Sequence, residues 1–133
     1  MIVLDTHIWI WWVHGDPRLV AAHAAVIAAH EADGLGISAI SCWEVAKLVE
    51  KGRLQLPNDV DRWLDTALAY PGMRLVELTP RISAEACRLS AMPGGFHGDP
   101  ADQIIAATSR MLACSLLTAD ARLRSSPHVT LAA

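Results

Sequence analysis

Residues 2–7 read Ile-Val-Leu-Asp-Thr-His, three large apolar residues that stop at an acid. A short apolar run bounded by polar residues predicts a strand buried on both faces. Leu35-Gly36-Ile37-Ser38-Ala39, Leu75-Val76-Glu77-Leu78 and Ser115-Leu116-Leu117-Thr118 repeat the pattern, and Val129-Thr130-Leu131 reads as an edge piece. Between these runs the apolar spacing is helical, predicting helices at about 17–32, 41–51, 58–69, 80–91 and 100–112. Asp16-Pro17, Pro57, Thr79-Pro80 and Asp99-Pro100 mark helix starts, where the missing proline N–H costs no hydrogen bond. Gly52 reads as a helix C-cap and Pro93-Gly94-Gly95 as a loop. Strands alternating with helices predict an α/β fold, with a central parallel β-sheet of four to five strands flanked by helices.

The chain has 133 residues, 53% of them hydrophobic and 19% charged. That length predicts one domain over 1–133, able to bury about two thirds of its unfolded surface. Such a composition excludes intrinsic disorder. The apolar runs Ile8–Val13 and Ala24–Ala29 are too short to cross a bilayer, so no membrane association is expected. Met1 leads straight into Ile2-Val3-Leu4 without a basic n-region, which predicts no secretory leader. Cys42, Cys87 and Cys114 lack C-x-x-C spacing and read as reduced thiols of a cytoplasmic protein.

In a parallel α/β sheet, ligands bind beyond the carboxyl ends of the strands. Asp5 ends the first strand, and Asp120 follows the strand that closes at Leu117-Thr118. Glu44 follows Ala39-Ile40, and Asp102 lies in the first turn of the helix opened by Pro100, with Asp99 just before that proline. Each of the last four also has a structural reading. Ser41-Cys42-Trp43-Glu44 fits a capping box, Asp99 fits an N-cap, Asp102 fits the helix dipole, and Asp120 fits a cap of the turn through Leu123. Asp5 has no evident cap to make, and a buried unpaired carboxylate is costly. Carboxylates brought together raise one another's pKa and call for a counter-charge. Oxygen donors without paired His or Cys favour Mg²⁺ or Mn²⁺ over zinc, and such an ion suits phosphodiester hydrolysis.

Five motifs, in order and spacing, resemble the PIN-domain ribonucleases, most closely the VapC-type toxins of bacterial toxin–antitoxin modules. They are Ile2-Val3-Leu4-Asp5-Thr6-His7, Ser41-Cys42-Trp43-Glu44-Val45-Ala46-Lys47, Gly52-Arg53-Leu54, Asp99 through Thr108, and Leu117 through Leu123. The resemblance implies a PIN-like fold and a Mg²⁺-dependent (or Mn²⁺-dependent) endoribonuclease. Its catalytic quartet would be Asp5, Glu44, Asp102 and Asp120. Asp5, Asp102 and Asp120 would coordinate metal, while Glu44 would hold a water or a second ion. Asp99, Thr6 and Thr118 would be accessory. The implied reaction is in-line attack of a metal-activated water on an RNA phosphodiester, leaving 5′-phosphate and 3′-hydroxyl ends. The resemblance further implies a homodimer neutralised by a cognate VapB-type antitoxin, with operator DNA reached only through that antitoxin. Gln103 stands where many relatives carry Arg.

Two other functions fit the same residues: an RNA-processing nuclease of this family without an antitoxin, and an inactive RNA- or protein-binding module. Lys47, Lys51 and Arg53 follow Glu44 and form either a solvated face or a phosphate-binding patch. Arg81 with Arg88, and Arg122 with Arg124, are weaker candidates for the same role. Trp9, Trp11 and Trp12, in the wholly apolar run Ile8–Val13, belong in a core or an interface. The histidines show no ligand spacing, and His7 beside Asp5 reads as structural. The net charge of −3, taken alone, argues against an RNA substrate. Setting the four acids aside leaves 10 Asp and Glu against 11 Lys and Arg, a body at +1 that carries a concentrated acidic pocket.

Overall fold

The computed structural model describes residues 1–133. In chain order the elements are β1 (Ile2–Leu4), α1 (Thr6–His14), α2 (Ala21–His30), β2 (Leu35–Ser38), α3 (Ala39–Glu50) and α4 (Val60–Leu68). They continue with β3 (Met73–Val76), α5 (Pro80–Arg88), α6 (Pro100–Met111), β4 (Ser115–Leu117) and α7 (Ala121–Arg124). A 3-10 turn at Leu89–Ala91 extends α5. The four strands form one parallel sheet in the order β3-β2-β1-β4. Val129–Leu131 adds no fifth strand; Leu131 makes only an isolated parallel bridge to Leu116.

Side chains alternate across the sheet and fill two cores. Ile2, Leu4 and Leu117 pack with Ile8, Trp9, Ile27, Val45 and Trp63 on one face. Val3 and Leu116 pack with Ile82, Leu89, Ile105 and Leu123 on the other. Every residue of β1 is buried, as a strand covered on both faces requires.

The expected helix starts hold at Pro80 and Pro100, which occupy the first turns of α5 and α6 behind the caps Thr79 and Asp99. Pro17 and Pro57 open no helix. Asp16 instead makes a turn around Arg18, and Asp59 caps α4 by accepting from Arg62 N at 2.9 Å. The run Ile8–Val13 lies in helix α1, which Gly15 ends at φ 61°. Trp9 is fully buried, while Trp11 and Trp12 pack against the same core, so this run is core packing. Strand β3 lies earlier than the apolar run 75–78 suggested. Its register pairs Leu35 with Met73 and Ser38 with Val76, so pairing stops where β2 stops.

This topology decides where a site can form. From β1 the chain moves outward through β2 to β3 on one side, then returns to lay β4 on the other. Such a reversal leaves a crevice outside the carboxyl ends of the two diverging strands, here β1 and β4.

Candidate active site

Asp5 sits at that crevice, the residue after β1 and the N-cap of α1. Its Oδ1 accepts from Thr6 N at 2.8 Å and its Oδ2 from Thr118 Oγ1 at 2.7 Å. Asp5 therefore does cap a helix, contrary to the sequence expectation, because the apolar run after it is helical. The helix N-terminus also favours its negative charge.

Glu44 is not in a capping box. Helix α3 begins at Ala39 behind the cap Ser38, so Ser41 and Glu44 lie within the helix. Ser41 is buried, its Oγ 2.8 Å from Thr6 Oγ1, and Thr6 Oγ1 in turn donates to Glu44 Oε1. A threonine hydroxyl has one proton, so the relay runs from Ser41 through Thr6 to Glu44.

Asp102 lies in the first turn of α6 and is 8% exposed. Its backbone N–H donates to Asp99 Oδ1 at 3.1 Å, the cap expected of Asp99. Asp102 Oδ2 is 2.6 Å from His97 Nε2, which leaves Oδ1 without a hydrogen bond. Asp120 caps α7: its Oδ1 accepts from Arg122 N at 2.8 Å and Leu123 N at 3.3 Å, and its own N–H donates to Thr118 Oγ1 at 3.0 Å. One guanidinium nitrogen of Arg122 lies 3.6 Å from both Asp102 Oδ2 and Asp120 Oδ2.

These acids share one electrostatic field. Burial pushes the Asp5 carboxyl above its ordinary range, against the Thr118 hydrogen bond, and Asp102 adds to the rise. Burial likewise pushes Glu44 up to about 7, with Asp5, Asp102 and Asp99 contributing and the Thr6 bond opposing. Asp102 is raised by burial first and then by Asp99 and Asp120, against the His97 bond. Burial acts upward on Asp120 too, but the N–H groups of Arg122 and Leu123 and the Arg122 charge hold it low. No lysine or arginine pairs with Asp5 or Glu44; within the quartet only Asp102 and Asp120 lie beside a guanidinium, that of Arg122.

Buried carboxylate oxygens short of counter-charge suit a hard divalent cation. As the side chains lie, no three of them stand close enough to enclose an ion. The donor chemistry fits Mg²⁺ or Mn²⁺, and the arrangement is open.

A groove of about 490 Å³ leads away from Glu44 and Asp99 between Trp43, Lys47, Lys51, Arg53 and Pro100. It gathers the three cations expected near Glu44. Lys47 Nζ pairs with Glu50 at 2.9 Å and lies 5.6 Å from the Trp43 ring centre, whereas Lys51 and Arg53 make no ion pair. Arg124 binds the backbone oxygens of Thr118 and Ala133 at 2.9 and 3.0 Å, and Arg88 pairs with Glu85, so both serve structure. His7 is exposed and packs near Trp11, 6.0 Å between ring centres. The histidine at the site is His97, which spacing alone did not single out. Gln103 Nε2 donates to His97 O at 3.1 Å and so steadies the loop that carries it.

The PIN domain family model matches residues 2–128. Ribonuclease VapC22 of Mycobacterium tuberculosis (strain ATCC 25618 / H37Rv) is 40% identical over 127 residues, covering 96% of this chain and 92% of that protein. Among solved structures, VapBC2 from Rickettsia felis bound to a DNA fragment from their promoter superposes with TM-score 0.71 at 18% identity, covering 98% of this chain and 97% of that one. A toxin–antitoxin complex from Klebsiella pneumoniae superposes with TM-score 0.67 at 17% identity, covering 100% and 98%. At such identities the last two show a shared fold.

Proposed function

The chain belongs to the PIN-domain family and, within it, to the VapC-type ribonuclease toxins, and from that membership we propose how its acidic pocket works. The protein is the endoribonuclease toxin of a type II toxin–antitoxin module. Asp5, Asp102 and Asp120 hold a divalent ion, Mg²⁺ or Mn²⁺. When bound, that ion supplies Lewis acidity toward a phosphodiester oxygen and toward the attacking water.

The protein's own groups do the rest. Glu44, with Oε1 held by Thr6, presents Oε2 to take a proton from the water. Thr118 orients Asp5 and steadies Asp120. Asp99 keeps the first turn of α6 in place under Asp102. Lys47, Lys51 and Arg53 border the path by which RNA phosphates approach. Cleavage leaves a 5′-phosphate and a 3′-hydroxyl.

One domain, 1–133, carries this activity in the cytoplasm, as a homodimer restrained by a VapB-type antitoxin that covers the acids. Operator DNA is reached only through that antitoxin. The toxin–antitoxin complexes among the structural neighbours support this assignment of the partner. No helix is long and apolar enough to cross a membrane.

The observation that carries the reading is that Asp5, Glu44, Asp102 and Asp120, from four segments, lie near enough for each to act on the ionisation of another. It is tested by expressing the chain in a bacterial host beside Asp5→Ala and Asp102→Asn, following growth and RNA integrity. The parent should arrest growth and cut RNA at discrete sites, and the variants should do neither. Equal toxicity of the variants would refute the assignment. A small upstream reading frame encoding a DNA-binding protein would separate a toxin from an antitoxin-free nuclease.

A further inference from the structure

The one tryptophan outside the core stands at the mouth of the site. Trp9 and Trp63 are buried and Trp11 and Trp12 pack against the core, yet Trp43 is 55% exposed. It precedes Glu44 on α3, and both side chains line the same groove. Lys47, one turn further on, holds its ammonium 5.6 Å from the indole centre and is itself held by Glu50. Lys51 and Arg53 line the same groove with no acidic partner. This arrangement differs from a solvated face, where opposite charges alternate and large apolar side chains are trimmed.

We propose that the Trp43 groove is a single-stranded RNA subsite, in which one nucleobase stacks on the Trp43 indole while flanking phosphates meet Lys51 and Arg53. Every base offers a π-face, so an exposed indole binds a base without regard to its identity. Unpaired cations beside it neutralise the phosphates on either side, in a groove that Glu44 and Asp99 also line. Lys47 takes the part of a positioning residue, because its charge is already committed to Glu50 and the indole. A protein segment covering Trp43 would need acidic side chains spaced to meet Lys51 and Arg53, whereas RNA carries a phosphate at every residue. Charge complementarity therefore favours RNA. The proposal rests on the ribonuclease reading and adds to it where the strand runs.

The test uses the full chain carrying Asp102→Asn, so that RNA binds without being cut, with fluorescently labelled single-stranded RNA and Mg²⁺ present. Trp43→Ala should weaken binding by roughly ten-fold or more, while Trp43→Phe should stay within about three-fold of the parent. Lys51→Gln and Arg53→Gln should each lower the salt slope by about 0.7. RNAs carrying one abasic position at a time should include one that weakens the parent and leaves the Trp43→Ala chain unaffected, a coupling that a general packing defect does not produce. RNA affinity of the Trp43→Ala chain equal to the parent's would overturn the subsite and leave the ribonuclease assignment standing. Unchanged RNA affinity with lost affinity for the antitoxin's C-terminal peptide would overturn it too, by making the groove a protein-docking surface. If the parent Asp102→Asn chain bound no RNA, the ribonuclease reading would fall and the subsite with it.

Discussion

Thr118 Oγ1 donates to Asp5 Oδ2 across 2.7 Å, joining the carboxyl ends of β4 and β1 between residues 113 apart in sequence. The same oxygen accepts from Asp120 N, so one threonine sets the relation of the first and fourth acids. Thr118 is wholly buried, and its hydrogen bond is the strongest influence holding the Asp5 carboxyl down against burial. Thr118→Val keeps the shape and removes the donor. It should cost about 1–3 kcal/mol by urea denaturation at neutral pH, while Thr118→Ser should stay near the parent. A valine variant as stable as the parent would show that the hydroxyl does not serve the carboxylate.

The raised acids give the metal-free chain an unusual dependence on pH. Glu44 ionises near 4.5 when unfolded and near 7 when folded. Its contribution to stability is complete below about 4.5 and is lost as pH rises through 7, because the unfolded chain gives up the proton first. Asp5 and Asp102 are shifted in the same sense. In a chelator, stability should therefore fall between pH 5 and 7 at up to about 1.4 kcal/mol per pH unit for each proton involved. Glu44→Gln should flatten much of that fall in thermal melts, and an equally steep decline in the glutamine variant would place the strain elsewhere.

How much of this was legible beforehand depended on whether the cause is local. Strand β1 is an uninterrupted apolar run, and Thr79-Pro80 and Asp99-Pro100 carry their own cap and first-turn residue, so these elements stand in the sequence as written. Helix α1 does not, because Ile8-Trp9-Ile10-Trp11-Trp12-Val13 is apolar all round and shows no period. Helix α3 starts before the expected capping box, because Ser38 caps it at the end of β2 while Ser41 turns inward to Thr6. Asp5, Glu44 and Asp120 were placed by the strands they follow, and Asp102 by the first turn of the helix that Pro100 opens. The contacts that His97 and Arg122 make with Asp102 were not legible, since they come through a loop and through α7, and neither leaves a local pattern.

Divalent metal should stabilise the fold as well as activate it. An ion that binds only the native state adds about 2.7 kcal/mol at a hundred times its dissociation constant. Mg²⁺ or Mn²⁺ should accordingly raise the melting temperature of the parent, more at pH 7.5 than at pH 5.5, where protons compete for the raised carboxyls. Asp5→Asn and Asp102→Asn should lose most of that response, and EDTA should abolish RNA cleavage until metal is restored. Cleavage that persists in EDTA would contradict the proposed chemistry.

His97 should matter through Asp102 alone. Its Nε2 lies 2.6 Å from Asp102 Oδ2, its ring stacks on Phe96 with 4.6 Å between centres, and Gln103 holds its backbone oxygen. The imidazole thus fixes which oxygen of Asp102 stays free, the part that partners of metal-ligating groups play at a cost of roughly 10- to 100-fold in affinity or activity when removed. His97→Ala should weaken Mn²⁺ binding in calorimetric titrations by about ten-fold and lower kcat more than it raises KM for a short RNA. His97→Gln, whose amide can still donate, should recover part of both. Gln103→Ala should weaken metal binding less, because the loop keeps its Phe96 stacking. Manganese affinity unchanged in His97→Ala would mean that Asp102 is oriented by α6 and its Asp99 cap without help from the imidazole.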